Sequence, residues 1–170
     1  MPQRQRLRAD AVIVGLGPAG SAAAIELCRA GRTVVAIDKA VFPRDKCCGD
    51  GLTTLGLREL EHLGLDPSTI PDWFDVGGAA IRSPSGRQVV VPLPSAGGYA
   101  AVAPRLQIDD ALVRLAREVG ADIRYGHGFE RIVEHDDHFT VEADGLEIDT
   151  RYVVASEGIC SPVSKSLGEN

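Results

Sequence analysis

Asp10-Ala-Val-Ile-Val-Gly15-Leu-Gly17-Pro-Ala-Gly20 decides how the rest of the chain is read. A short β-branched run ends in Gly-x-Gly-x-x-Gly, and the small residues Ser21, Ala22, Ala23 and Ala24 carry it on as a helix. A second buried-strand pattern, Val34–Ile37, ends in Asp38. The order is strand, glycine turn, helix, strand, carboxylate, and each part has a task in holding a dinucleotide. Gly15 permits the tight turn out of the strand. Gly17 has no side chain, so a pyrophosphate can approach the backbone. Gly20 lets the helix pack close to the sheet. The helix N-terminus offers unpaired N–H groups and a partial positive charge to the phosphates. Asp38, eighteen residues beyond Gly20, is placed to accept from ribose hydroxyls. The plainer alternative is a glycine turn that only packs a βαβ unit. Strand, helix and acid all fall where the motif requires, which favours dinucleotide binding.

The chain has 170 residues, enough for one domain or one and a fraction, with a sizeable core. Hydrophobic residues make up 44% and charged residues 25%, a globular rather than disordered balance. A net charge of −6 argues against nucleic acid as a partner. The basic cluster Arg4, Arg6 and Arg8 reads as a solvated N-terminal tail, with a weak membrane-surface contact as the alternative. No apolar run reaches the ~18 residues of a membrane span, and the run from Ala11 is a strand without a cleavage site. Cytoplasmic location is therefore the expectation, with room for a contact at the inner membrane face. Cys28, Cys47, Cys48 and Cys160 form no metal-type pairing with histidines, so no metal is expected.

Along the chain, Val12–Val14 and Val34–Ile37 read as strands, separated by a helix over Ala19–Ala30 that Gly31 stops. A glycine-, proline- and cysteine-rich loop runs from Lys39 to Leu52, and Thr53–Leu63 is an amphipathic helix. Ala79–Arg82 and Gln88–Val91 flank Ser83-Pro-Ser-Gly86 as a hairpin, and Gly98–Ala103 is a further strand. Leu106–Val119 has helical apolar spacing. Ala121–Tyr125 is a strand. Phe129–Glu134, Phe139–Ala143 and Leu146–Ile148 form a three-stranded antiparallel meander, and Tyr152–Ala155 is one more buried strand before Ser156-Glu157-Gly158. A Rossmann half followed by an antiparallel excursion is the layout of FAD-binding domains. A classical NAD dehydrogenase continues with regular βαβ units instead. The fold class is α/β: a Rossmann-like FAD-binding domain with a three-stranded antiparallel β-meander and a partial inserted β layer.

Three segments carry a family resemblance. Asp10–Asp38 resembles the FAD motif of the glutathione-reductase-like superfamily. Phe42-Pro43-Arg44-Asp45-Lys46-Cys47-Cys48-Gly49-Asp50-Gly51-Leu52 resembles the "FPR-x-K-x-CG-x-G-L" loop of the geranylgeranyl reductase family. Ala155-Ser-Glu-Gly158-Ile-Cys-Ser-Pro-Val163 resembles that group's "A-x-D-G-x-x-S-x-V" segment, with Glu157 in place of the usual Asp. The resemblance implies FAD as cofactor. It places Gly15, Gly17, Ala19 and Gly20 around the pyrophosphate, and Asp38 on the adenosine ribose with Lys39 beside it. Cys48, Gly49 and Gly51 fall in the loop that lies along the cofactor. Arg105 matches an "R-x-x-x-D-x-x-L" helix start whose guanidinium would neutralise phosphate charge. Phe129 falls where a backbone group often meets the adenine. A later Gly-Asp motif of the family is not within these residues. The chain thus reads as the N-terminal part of a longer flavoprotein whose C-terminal substrate region is absent. Within it, residues 9–52 hold the dinucleotide motif and Cys-Gly loop, 76–103 the inserted layer, and 104–168 the helix, meander and acid-Gly motif.

The activity implied is FAD-dependent reduction of carbon–carbon double bonds in a geranylgeranyl or polyprenyl group on a lipid or quinone. NAD(P)H or another donor would supply the electrons. A flavin monooxygenase or halogenase, or an inactive FAD-binding fragment, are the alternatives. Cys48 reads as a catalytic residue near the flavin, as a small residue tolerated by its loop, or as a disulfide partner of Cys47. His127, His135 and His138 read as solvated turn residues. Asp109 and Asp110 read as structural acids in a helix's first turns. Trp73-Phe74 reads as packing, or as contact with a lipid substrate.

Overall fold

The computed structural model describes residues 4–94, 98–158 and 161–168. Cys160 lies outside the described residues. The chain divides into two compact units, residues 1–44 with 109–170, and residues 45–108.

The first unit is built on a six-stranded sheet. Its strands are β1 (Gln5–Val14), β2 (Val34–Asp38) and later β8 (Asp122–Tyr125), β9 (Phe129–Glu134), β10 (Phe139–Ala143) and β11 (Leu146–Ala155). Their order is β8-β2-β1-β11-β10-β9. β8, β2, β1 and β11 run parallel to their neighbours, while β9, β10 and β11 form the antiparallel meander. Val12, Ile13 and Val14 are buried because β1 is a central strand covered on both faces. Val12 and Val14 join Val35, Ile37, Val141, Ala143, Leu146 and Ile148 in one core cluster. Helix α1 (Pro18–Arg29) packs on β1, β2 and β11 through Gly20, Ser21, Ala24 and Ile25. It begins with proline at its first position, where a missing N–H costs nothing. At its other end Gly31 adopts φ +74°, and the N–H groups of Gly31 and Arg32 reach the carbonyls of Cys28 and Leu27. That is a Schellman ending, as the sequence predicts.

Two strands are longer than their sequence patterns suggest. Arg6 and Arg8 are not part of a tail: β1 starts at Gln5, with Leu7 and Ala9 turned toward the core and the arginines outward. Arg4 donates to Glu130 and Glu142, and Arg6 to Glu147 at 3.0 Å. The basic cluster hid a period-two strand pattern. Leu146–Ile148 and Tyr152–Ala155 are one ten-residue strand rather than two. The intervening Asp149 and Thr150 look like a break but pair with neighbours. Thr150 is buried and donates to the Asp10 carbonyl at 3.1 Å, and Asp149 accepts from the Thr140 hydroxyl at 2.8 Å. β11 can therefore pair with the meander on one side and with β1 on the other along its length.

The second unit holds helix α2 (Thr54–His62), capped by the Thr53 hydroxyl, and a three-stranded sheet ordered β3-β7-β4. Its strands are β3 (Gly51–Thr53), β4 (Phe74–Asp75) and β7 (Ala100–Val102). The expected hairpin is present as β5 (Gly78–Arg82) and β6 (Gln88–Pro92), around Ser83–Gly86. β3 and β4 were not anticipated: three- and two-residue strands are too short to show a period. Helix α3 (Arg105–Glu118) begins in this unit and continues into the first. A short helix α4 (Pro162–Ser166) completes the chain's described elements. Among the described residues, no helix is long and apolar enough to cross a membrane.

Candidate dinucleotide site

In the first unit the glycine turn is held by contacts that only glycine allows. Gly15 has φ +94°, and a Cβ there would stand 2.7 Å from the Ser156 carbonyl oxygen. A Cβ on Gly20 would stand 1.9 Å from the Gly15 carbonyl oxygen and 2.6 Å from Ser156 Oγ. Ser156 fixes this approach: its hydroxyl donates toward the carbonyls of Val14 at 2.8 Å and Gly15 at 2.7 Å. Gly17, in an extended conformation at φ −70°, is the N-cap of α1 and has no side chain with which to cap it. The first-turn N–H groups are thus left for a ligand, and the helix dipole favours an anion there.

Asp38 ties the turn to the end of β2. One carboxylate oxygen accepts the Leu16 N–H at 2.8 Å and the other the Ala40 N–H at 2.8 Å. A carboxylate has about four acceptor positions, so roughly two stay open for sugar hydroxyls. Lys39 beside it is exposed. The Asp38 carbonyl accepts the His127 N–H at 3.0 Å, and His127 Nδ1 lies 2.6 Å from the Asp144 carbonyl. His127 is therefore a bonded turn residue. Phe129 opens β9, half-buried, with its ring against the meander core and its backbone paired with Ala143. The donor set, the uncapped helix end and the open valences of Asp38 fit a dinucleotide.

Glu157, the departure from the family's aspartate, has a structural task. Its carboxylate accepts the Ser161 hydroxyl at 2.9 Å and the Val163 N–H at 3.2 Å, at the start of α4. The extra methylene gives it that reach.

Asp109 is fully buried and pairs with Arg44 at 2.8 Å. The Arg44 guanidinium also lies 4.8 Å over the ring of Phe42, which stacks on Tyr125 at 5.4 Å. The "FPR" residues of the loop motif are thus engaged with the protein interior. Asp109 is structural, as its position suggests, but it is a buried ion-pair partner rather than a helix-dipole acid.

In the second unit the remaining loop residues gather around Asp50. Asp50 has φ +54°, its carbonyl accepts the Ala103 N–H at 3.1 Å, and its Oδ1 accepts the Arg105 N–H at 3.3 Å. The Cys48 thiol is held below its ordinary range, by the Asp50 backbone first and the Arg105 side chain second. Cys47 and Cys48 are both exposed free thiols, so the disulfide alternative is not realised. Cys28 is half-buried in α1, and burial pushes its thiol up. Gly49 and Gly51 have no positive φ, and a Cβ on either would meet no atom closer than 3.8 Å. The chain itself does not require glycine at these two positions. Trp73 is half-buried and donates to Asp75 at 2.9 Å, while Phe74 is exposed.

The structure places Gly15, Gly17, Ala19, Gly20, Asp38, Lys39 and Phe129 in the first unit, and Cys48, Gly49, Gly51 and Arg105 in the second. Sequence reading missed Ser156 and Asp50. A short acid between two glycines was the available signal for Asp50, since aspartate tolerates left-handed backbone better than most residues. Among the described residues, no group of three or more His, Cys, Asp or Glu side chains could hold a metal ion.

Comparison with known proteins agrees with this geometry. Residues 8–170 match the family described as FAD binding domain. The chain is 41% identical over 165 residues to a menaquinone reductase of Mycobacterium tuberculosis, covering 94% of this chain and 40% of that protein. It is 33% identical over 167 residues to digeranylgeranylglycerophospholipid reductase 2 of Methanopyrus kandleri, again covering 94% and 40%. The structure of a geranylgeranyl bacteriochlorophyll reductase-like protein from Thermoplasma acidophilum superposes with a TM-score of 0.81 at 26% identity, covering 96% of this chain and 43% of that one. The chain therefore spans about 40% of the length of the curated relatives it matches.

Proposed function

Since the chain belongs to the FAD-binding domain family, we propose that it is the cofactor-holding part of an oxidoreductase that saturates carbon–carbon double bonds in a prenyl group on a lipid or quinone. The observation that carries this reading is the loop of residues 42–52, which resembles that of the geranylgeranyl reductases and carries the exposed thiol of Cys48. The relatives named for menaquinone and digeranylgeranylglycerophospholipid reduction support the same class of substrate.

In this reading the α1 N-terminus and Gly17 receive the pyrophosphate, and Asp38 accepts from the adenosine ribose with Lys39 alongside. Gly49 and Gly51 let the loop backbone approach the cofactor. Arg105 has five N–H donors, so it can serve Cys48 and an anionic phosphate together. FAD, once reduced, supplies a hydride to one alkene carbon, and the other carbon then needs a proton. Cys48 Sγ is the group suited to give it. A thiol that holds its proton less tightly is a stronger general acid, and Arg105 stabilises the thiolate left behind. NAD(P)H or another donor restores the electrons. Prenyl substrates of this kind reside in membranes, so the reading includes a peripheral membrane contact.

Replacing Cys48 tests it. Cys48→Ala retains FAD and loses alkene reduction by roughly 10²-fold or more. A variant with the parent's rate overturns the role given to this thiol.

A further inference from the structure

Cys47 and Cys48 are neighbours in the chain, and both are exposed and free. Neither lies in a helix or strand, since β2 ends at Asp38 and β3 begins at Gly51. The peptide between them can therefore turn without breaking a helical or ladder hydrogen bond. Just beyond the pair the loop is anchored at Asp50, whose carbonyl accepts the Ala103 N–H at 3.1 Å and whose Oδ1 accepts the Arg105 N–H at 3.3 Å. Gly49, between pair and anchor, is unpacked: a Cβ there would meet nothing within 4 Å. Cys47 to Asp50, Ala103 and Arg105 all belong to the unit of residues 45–108.

We propose that Cys47 and Cys48 are a reversible oxidation site, at which a peroxide converts the two thiols to a disulfide between neighbouring residues. The oxidant is hydrogen peroxide, which reduced flavins release on meeting oxygen. The Cys48 thiolate attacks one peroxide oxygen. An S–O bond forms, the O–O bond breaks and hydroxide leaves, so the sulfur loses two electrons to become a sulfenic acid while the peroxide is reduced. The Cys47 thiolate then attacks the Cys48 sulfur. The S–S bond forms, the S–O bond breaks, and a second hydroxide leaves. With the two thiol protons, the hydroxides become two waters. The first step falls to Cys48 because its thiol is held below the ordinary range, first by the Asp50 backbone, which raises its thiolate share at neutral pH. Adjacent Cα atoms across a trans peptide are about 3.8 Å apart, below the range of about 4.4–6.8 Å for an ordinary disulfide. The ring is therefore strained, and strained or exposed disulfides are the ones most readily reduced. The site suits reversible control rather than holding the fold. The bridge occupies the Cys48 thiol, so it also stops alkene reduction; that consequence rests on the function proposed above, and the bridge itself does not.

The test uses the full chain loaded with FAD, reduced and then freed of reductant. A few equivalents of hydrogen peroxide are added, remaining thiols are alkylated with iodoacetamide, and the tryptic peptide 47–58, which holds both cysteines, is weighed. The expected product is this peptide unalkylated and lighter by two hydrogens, with both thiols restored by glutathione. In Cys47→Ser no neighbour resolves the sulfenic acid, so the peptide gains oxygen atoms instead. In Cys48→Ser the remaining Cys47 is oxidised ~3-fold or more slowly. Both side chains are exposed, so serine at either position keeps the fold. Two alkylated thiols in the parent, oxygen gained by the parent peptide, or a bridge from it to any other cysteine overturns the proposal. Equal oxidation rates in the two variants overturn the assignment of the first step to Cys48. Weighing the peptide needs no turnover, so a chain that forms the bridge but reduces no alkene in either state refutes the function proposed above while leaving the oxidation site intact.

Discussion

Gly20 faces the carbonyl oxygen of Gly15 so closely that a Cβ on Gly20 would sit 1.9 Å away from it. The atom it would strike is backbone, inside a turn also gripped by Ser156. Gly20→Ala therefore forces α1 off the sheet and is expected to cost at least ~3 kcal/mol, read as a loss of cooperative unfolding or a large fall in Tm. Gly17→Ala behaves differently. At φ −70° its backbone suits any residue, so that variant is expected to lose less stability than Gly20→Ala. Its FAD affinity falls, because the new methyl lies where the pyrophosphate approaches. Equal stability losses in the two variants would contradict this division of labour.

Asp38 serves the fold and the ligand with the same carboxylate. In Asp38→Asn the amide group meets an N–H, of Leu16 or of Ala40, where an oxygen accepted before. Loss of about 1–2 kcal/mol in denaturant unfolding is expected, with FAD binding weakened about 10-fold or more. An Asn variant that binds FAD as the parent does would remove Asp38 from the site.

Glu157 holds the start of α4 through Ser161 and Val163. Glu157→Asp restores the family's usual residue but shortens the reach. We expect it to destabilise by about 1 kcal/mol, near the cost of deleting a helix cap, measurable as a lower Tm. A more stable Glu157→Asp variant would show that the methylene is a burden rather than a fit.

Glu142 gives the chain a pH signature. Hydrogen bonding to Arg131, with Arg4 on its other side, holds its carboxyl below the ordinary range. A depressed folded-state value means stability that is present above the unfolded value and lost as pH falls through the folded one. Glu142→Gln should thus lower Tm at neutral pH, and the gap to the parent should close below about pH 4. A gap that persists unchanged into acid would assign the loss to packing.

The dinucleotide turn was legible because its chemistry and its local geometry coincide. Gly20 and Asp38 are required by contacts within one βαβ unit, and Gly15 by the left-handed turn it makes there. The long strands were harder to read. Arg4 and Arg6 look like part of a basic tail until the strand partner β11 and the carboxylates of Glu142 and Glu147 are in place. Asp149-Thr150 looks like a turn until Thr150 finds Asp10 across the sheet. In both cases the pairing partner lies more than a hundred residues away in sequence. The loop from Phe42 to Leu52 was legible only by resemblance. No local pattern says that Arg44 reaches the buried Asp109, 65 residues further along the chain.

The most direct test of the account is the product formed when the FAD-loaded, prereduced protein meets a geranylgeranyl-bearing quinone or lipid without oxygen. Mass analysis should find product heavier by two hydrogens for each double bond reduced, and admitting oxygen should add no oxygen atom to it. A substrate unchanged under anaerobic conditions, and heavier by one oxygen atom in air, would contradict the account and make this chain part of a monooxygenase.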